Sequence, residues 1–146
     1  MITIASATPH HAPGIHEIEL ASFSEPWSAS AIEYEITQPH SICFVALDEN
    51  DALVGYASMR HIINEGHISN IAVAPAYRRG GIGAMLLNAL MCKAIYDEMI
   101  GVTLEVRVSN QAAIALYEKH GFITEGYRKN YYSSPTEDAA IMWKYL

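Results

Sequence analysis

The segment Ile71-Ala72-Val73-Ala74-Pro75-Ala76-Tyr77-Arg78-Arg79-Gly80-Gly81-Ile82-Gly83-Ala84 has the residue types of an anion site. An apolar strand-like start leads into two arginines, and glycines follow where a helix begins. Glycines there allow close backbone approach and φ/ψ values that other residues avoid. The first N–H groups of a helix have no intrahelical partner and carry the positive end of its dipole. Such a loop is a ready anion site, and Arg78 and Arg79 add formal charge beside it. With so many donors the expected anion is a phosphate rather than a carboxylate. A nucleotide P-loop needs Lys-Ser/Thr after its last glycine, whereas Gly83 is followed by Ala84-Met85. The dinucleotide fingerprint G-x-G-x-x-G/A fails too, because Gly81-Ile82-Gly83 runs on into Ala84-Met85-Leu86. On its own the loop could equally be a tight turn with solvated arginines.

Further along, Val102, Leu104, Val106 and Val108 alternate with Thr103, Glu105 and Arg107, so the polar residues share one face of a strand. Charges in mid-strand either face solvent or line a cleft. Asn110 stands at a helix start, where asparagine is an N-cap by default. Tyr117, on that helix, fits a core tyrosine against Ala113 and Ile114. Trp27, Tyr131 and Tyr132 are either core aromatics or residues with one wet edge. His10, His11 and His16 form no metal-ligand cluster and read as surface or helix-start histidines. Cys43 and Cys92 lie in apolar patterns and read as buried, inert thiols.

The elements that must position these residues follow from periodicity and punctuation. Ile2–Ala7 suits a strand, and Pro9 and Pro13 open a helix running to about Ser22. Pro26 makes Phe23–Ser28 a loop. Ser30 with Glu33 forms a capping box for a second helix that ends near Thr37. Ser41–Leu47 and Leu53–Ile63 read as strands around the turn cluster Asp48-Glu49-Asn50-Asp51, and His67–Val73 as a third. A long helix runs from Gly81 to about Met99, with Ile82, Leu86, Leu90 and Ala94 at helical spacing. Val102–Val108 is a strand, and the helix begun at Asn110 stops at His120-Gly121, where glycine suits the left-handed C′ position. Phe122 to Tyr131 and Ala139 to Tyr145 close the chain as strands. This is an α/β or α+β pattern: a sheet of six or seven strands, mostly antiparallel, with helices on its faces.

The 146 residues amount to one domain, 1–146. With 51% apolar and 17% charged residues the composition is globular. A net charge of −7 argues against generic binding to nucleic acid or anionic membrane, and would steer a basic partner in. The two cysteines make neither a disulfide framework nor a zinc motif. With no targeting segment and no bilayer-length apolar run, the expected location is the cytoplasm.

Arg78-x-x-Gly81-x-Gly83, directly after Val73-Ala74-Pro75, resembles the pyrophosphate loop of the GNAT superfamily of N-acetyltransferases. The likeness continues through Leu104–Asn110 and through Ala115-Leu116-Tyr117-Glu118-Lys119-His120-Gly121-Phe122. Together these motifs span about residues 67–123. Glu25-Pro26-Trp27-Ser28, Leu104–Arg107, Arg128-Lys129-Asn130-Tyr131-Tyr132 and Glu137-Asp138-Ala139 are similar, more narrowly, to the ribosomal-protein-alanine (RimI-type) N-acetyltransferases. Ala74 departs from the acid, and Gly80 from the basic or polar residue, common in such proteins.

The resemblance implies a GNAT-like fold with four helices and acetyl-CoA as co-substrate, with no metal. It implies that Arg78, Arg79, Gly80, Gly81, Ile82, Gly83 and Ala84 hold the pyrophosphate. Backbone groups of Ile71, Ala72 and Val73, with Asn110, would meet the pantetheine arm. Glu105 becomes the general base, and Tyr117 the acid that protonates the departing thiolate. Trp27 and Tyr132 would line a peptide groove. An α-ammonium has a reference pKa of about 8 and lysine about 10.4, so the acceptor must lose a proton before it attacks a thioester; a nearby carboxylate can take it. The implied activity is N-terminal acetylation of a protein, expected to be ribosomal, by direct transfer in a ternary complex. The alternatives are a lysine or small-amine acetyltransferase and a non-catalytic acetyl-CoA-binding module.

Overall fold

A computed structural model describes residues 1–146. Four helices, α1 (Ala12–Ser22), α2 (Ala29–Ile36), α3 (Ile82–Tyr96) and α4 (Gln111–Lys119), pack on a sheet of seven strands. The strands are β1 (Thr3–Ser6), β2 (Ser41–Leu47), β3 (Leu53–Ile62), β4 (Glu65–Val73), β5 (Gly101–Arg107), β6 (Ile123–Tyr132) and β7 (Glu137–Tyr145). Their order is β1-β2-β3-β4-β5-β7-β6, and every pairing is antiparallel except β4 with β5.

Alternation along the strands sorts the core into two layers. Ala46, Ala57, Met59, Leu104, Val106 and Met142 point to the face covered by α3 and α4. Val45, Tyr56 and Ala72 point to the other face, where Ile15, Ile18 and Ile32 of α1 and α2 cover them. Glu105 and Arg107, displaced by one residue from Leu104 and Val106, therefore emerge on the α1–α2 side.

The feature that matters for function is a gap in the sheet. β4 and β5 pair only from Glu65–His67 to Gly101–Thr103. Beyond that, β5 stays with β7 as far as Arg107 opposite Ala139. β4 instead follows β3, with a bulge: Ser58 pairs with Asn70 but Met59 with Ile68, leaving Ser69 as the extra residue. A bulge bends its strand and raises its twist. The two parallel strands consequently diverge, and β4 from Ile68 to Val73 has an open edge.

Several local expectations need correction. The α2 cap is Ser28, whose Oγ accepts from the Ala31 N–H at 3.1 Å, and Ser30 lies inside the first turn. β4 begins two residues before His67, and α3 ends at Tyr96 rather than near Met99. Cys92 is exposed; only Cys43 is largely covered. No helix is long and apolar enough to cross a membrane.

Candidate active site

The divergence of β4 and β5 opens a cleft of about 710 Å³. Glu105, Asn110, Tyr117, Ile71, Trp27 and Tyr132 all line it, so one surface gathers six residues from separate parts of the chain. Glu105 comes from the α1–α2 face of the sheet. Tyr117 belongs to the core on the opposite face. In a continuous sheet they would be separated by the backbone; across the gap they share a space.

Glu105 is half-buried, and its Oε1 lies 3.3 Å from Arg128 Nε on β6. Tyr117 is only 7% exposed, and its ring packs edge-on against Phe122 with centroids 5.7 Å apart. Burial pushes its phenol well above the ordinary tyrosine range, so the hydroxyl stays protonated throughout the physiological range. Asn110 Oδ1 accepts from the Ala113 N–H at 3.1 Å, the cap expected of it. Its amide nitrogen remains for the cleft.

Two segments form the walls. One is the α1–α2 loop with Phe23, Ser24, Glu25 and Trp27; the other is the β6–β7 turn with Tyr131, Tyr132 and Ser133. Ser133 Oγ donates to Glu25 Oε1 between them. Trp27 is fixed through its backbone: its N–H donates to Glu19 Oε1 at 2.9 Å, and its carbonyl accepts from His16 Nδ1 at 2.8 Å. Glu19 is fully buried, and its second oxygen accepts from Asn70 Nδ2 at 3.0 Å. Burial raises its carboxyl pKa, against the opposing hydrogen bonds from Trp27 and Asn70 and the charge of His16. Tyr132 stacks under Arg107, and burial, with Tyr131 and Glu105 nearby, pushes its phenol up to about 12.

The glycine-rich loop sits apart from these walls, between the end of β4 and the start of α3. Gly81 is the α3 cap at φ +83°, a left-handed conformation that favours glycine, and a Cβ there would meet nothing within 4 Å. The first backbone bond of the helix runs from the Met85 N–H to Gly81 O, so the N–H groups from Arg79 to Ala84 find no acceptor in the chain. Those free donors over open space fit a phosphate. Arg78 is partly committed elsewhere, its Nε donating to Val73 O at 3.0 Å and its Nη2 to Ser22 Oγ at 3.2 Å. It braces the loop, and the anion capacity rests mainly on backbone N–H groups with the exposed Arg79. Ile82 turns its side chain into the core and can offer only its N–H. Ala72, expected beside the pantetheine arm, offers neither side chain nor backbone: its side chain is buried, and its backbone groups face Tyr56 on β3, in register with the bond from the Ala74 N–H to Val54 O.

Sequence reasoning missed Glu19 and Asn70 as parts of the cleft. A glutamate at helical spacing between Ile15, Ile18 and Ser22 looks like a solvated helix residue, and its burial depends on the loop folding over it.

Residues 12–122 match the model of the acetyltransferase (GNAT) family. The chain is 35% identical to the ribosomal protein bS18-alanine N-acetyltransferase of Escherichia coli (strain K12), over 97% of this chain and 96% of that one. The crystal structure of the ribosomal-protein-S18-alanine N-acetyltransferase from Escherichia coli superposes with a TM-score of 0.92 at 33% identity, covering 100% of this chain and 94% of that chain. Ard1 from Thermoplasma volcanium superposes with a TM-score of 0.90 at 28% identity, over 99% and 97% of the two chains.

Proposed function

The chain belongs to the acetyltransferase (GNAT) family and uses acetyl-CoA as its donor; we propose that residues 1–146 form one cytoplasmic N-acetyltransferase domain whose acceptor is the α-amine of a ribosomal protein's N-terminus. The observation that carries this reading is the gap between β4 and β5, where Glu105 and Tyr117 line one cleft between two loops. Similarity to ribosomal-protein-alanine acetyltransferases over nearly the whole chain supports the choice of acceptor.

Acetyl-CoA supplies an acyl group on a thioester, and the chain's own groups hold it and manage the protons. The free N–H groups of Gly80, Gly81, Ile82, Gly83 and Ala84, with Arg79, hold the pyrophosphate. The open β4 edge, through the N–H and C=O of Ile71 and the N–H of Val73, pairs with the amides of the pantetheine arm as an added strand would, and Asn110 Nδ2 adds a side-chain donor. Glu105 takes a proton from the α-ammonium and frees its lone pair for attack. A main-chain N–H near Val73 polarises the carbonyl under attack. Tyr117 gives its proton to the departing sulfur as the C–S bond breaks, and the second proton of the attacking nitrogen, released as the amide forms, restores the phenol. No acyl relay through cysteine is needed: burial pushes the Cys43 thiol up to about 12, leaving almost no thiolate at neutral pH.

The test is thiol release from acetyl-CoA over peptides that differ at their first residues, with N-terminally blocked and lysine-free versions. The expected result is turnover on lysine-free peptides with a free α-amine and none on blocked ones. Turnover that survives blocking and disappears with the lysines would overturn the reading in favour of a side-chain acceptor.

A further inference from the structure

Arg107 follows Glu105 by two residues on β5, on the same face of the sheet, and its side chain reaches both walls of the cleft. Nη1 donates to Pro135 O at 2.9 Å and to Glu137 Oε1 at 3.1 Å. Nη2 donates to Ser133 O at 2.9 Å and to Ser24 Oγ at 3.4 Å. The guanidinium carbon Cζ lies over the Tyr132 ring, 4.5 Å from its centroid. Two of the acceptors are backbone carbonyls, so the contact fixes the path of the β6–β7 turn and not merely one side chain. Ser24 belongs to the opposite wall. Glu137 carries the tie onward, because its second oxygen accepts from the Ser109 N–H at 2.7 Å. That is the residue before the Asn110 cap of α4, the helix that bears Tyr117.

We propose that Arg107 is a positioning residue for the acceptor: it fastens the β6–β7 turn to the α1–α2 loop and so sets the spacing of the groove into which a peptide N-terminus is threaded. The inference rests on the reading above that the cleft between these loops takes a peptide. Arginine suits the task because its planar fork presents donors in two directions while its face stacks on an aromatic ring. A lysine ammonium is a point charge; it can meet one or two of these acceptors but cannot span Ser24, Ser133 and Pro135 while sitting over Tyr132. Arg107 takes no proton and touches no reacting atom, so its loss should act on acceptor binding and leave the donor loop, at the far end of β4, untouched.

The experiment compares Arg107→Lys and Arg107→Met with the parent on two readouts. Steady-state kinetics use a lysine-free peptide with a free α-amine and acetyl-CoA. Hydrogen exchange of the protein alone follows residues 22–28 and 131–137. Both variants should raise the KM for peptide at least tenfold, while the KM for acetyl-CoA moves less than twofold. Exchange should quicken in both segments together. Ser133→Ala, which removes the direct contact with Glu25 and keeps the carbonyls that Arg107 holds, should raise the peptide KM less than threefold. An unchanged peptide KM in either arginine variant overturns the proposal. So does faster exchange in one segment only, or a parallel rise of both KM values with a general loss of thermal stability. If Arg107→Met does not fold, Arg107→Lys alone decides by the same criteria. A parent enzyme that ignores the free α-amine refutes the acceptor reading instead, and the exchange of the two segments then decides whether Arg107 ties them.

Discussion

Tyr117→Phe removes one oxygen, and the structure says what that should do to stability and what to catalysis. The ring is buried and rests edge-on against Phe122, a contact that phenylalanine keeps, so no cavity opens. The hydroxyl has no hydrogen-bond partner within the chain, so none is lost. The oxygen itself reaches the cleft and is not among the buried atoms left without a partner, so its removal neither strands a polar group nor relieves one, and the variant should be about as stable as the parent at neutral pH. A shift within about 1 kcal/mol, or about 2–4 °C in Tm for a chain of this size, is expected. Tyr117→Ala is the contrast, since truncating a buried aromatic costs about 3–5 kcal/mol.

Catalysis should respond in the opposite proportion. A thiolate with a reference pKa of about 8.5 leaves with difficulty unless it is protonated, and positioned acids contribute about 10²–10⁴ in rate. Turnover of Tyr117→Phe should fall at least about tenfold, a floor below that range because water can supply the proton in part. The assay is thiol release at saturating peptide, paired with calorimetric titration of acetyl-CoA, whose affinity should hold. Alkaline stability gives a second check. The folded pKa of Tyr117 is raised by burial, so its contribution to stability is complete below the unfolded value of about 10 and is lost as pH climbs through the folded value. Above about pH 10 the phenylalanine variant should outlast the parent. Full turnover together with a lowered Tm would refute the reasoning and make Tyr117 a packing residue.

Three further outcomes are expected. Glu105→Gln should lower turnover by about 10²–10⁴ with acetyl-CoA affinity intact, and the deficit should narrow as pH rises and supplies free amine; a parent-like rate near neutral pH would reassign Glu105. Its stability should change by less than about 1 kcal/mol, because the pair with Arg128 is largely exposed on the arginine side, which unfolding in urea can read. Gly81→Val forces a β-branched residue to φ +83° at a strain of roughly 1–2 kcal/mol and fills the space over the free N–H groups, so calorimetry on the folded variant should show acetyl-CoA binding sharply weakened. Arg60 donates twice to the nearly buried Glu35, at 2.9 and 2.7 Å, and holds that carboxyl below its usual range. That stabilisation is present above the unfolded pKa of about 4.3 and is lost as pH falls through the folded value, so Arg60→Met should be destabilised at pH 7 and approach the parent in acid.

How much of this was legible in the sequence depends on the range of the interaction. The Asn110 cap and the Gly121 stop were, because a cap is settled by a side chain and an N–H three residues away. Gly121 does adopt the left-handed conformation, at φ +91°. Ser30-x-x-Glu33 matches a capping box by spacing alone. The helix instead begins two residues earlier, with Ser28 Oγ accepting from the Ala31 N–H. Cys92 failed differently: α3 is apolar nearly all round, so periodicity could not say which side is wet. Its buried stripe runs through Ile82, Leu86, Leu87, Leu90, Met91 and Ala94, and Cys92 lies opposite.

The assembly of the site was hidden for a reason deeper than boundary errors. Strand alternation put Glu105 on the face away from Leu104 and Val106, and that is where it lies. Helix spacing put Tyr117 in the core, and it packs there beneath the other face. Both readings hold, and with an intact sheet they would forbid the two residues from sharing a site. What reconciles them is the parting of β4 from β5 after three paired residues, which lets Glu105 from one side and Tyr117 from the other look into one opening. The parting follows from Ser69, the unpaired residue that sends β4 along β3, and from β7, which keeps β5 straight to Arg107. Neither is written in a local pattern: a bulge is visible only once the partner register is known. The same parting leaves the β4 edge without a strand, which is the vacancy an amide-bearing arm can fill. One backbone irregularity thus supplies both the meeting of Glu105 with Tyr117 and the strand edge at Ile71–Val73. Substitutions that restore regular pairing across Ser69 should therefore harm donor binding and catalysis together.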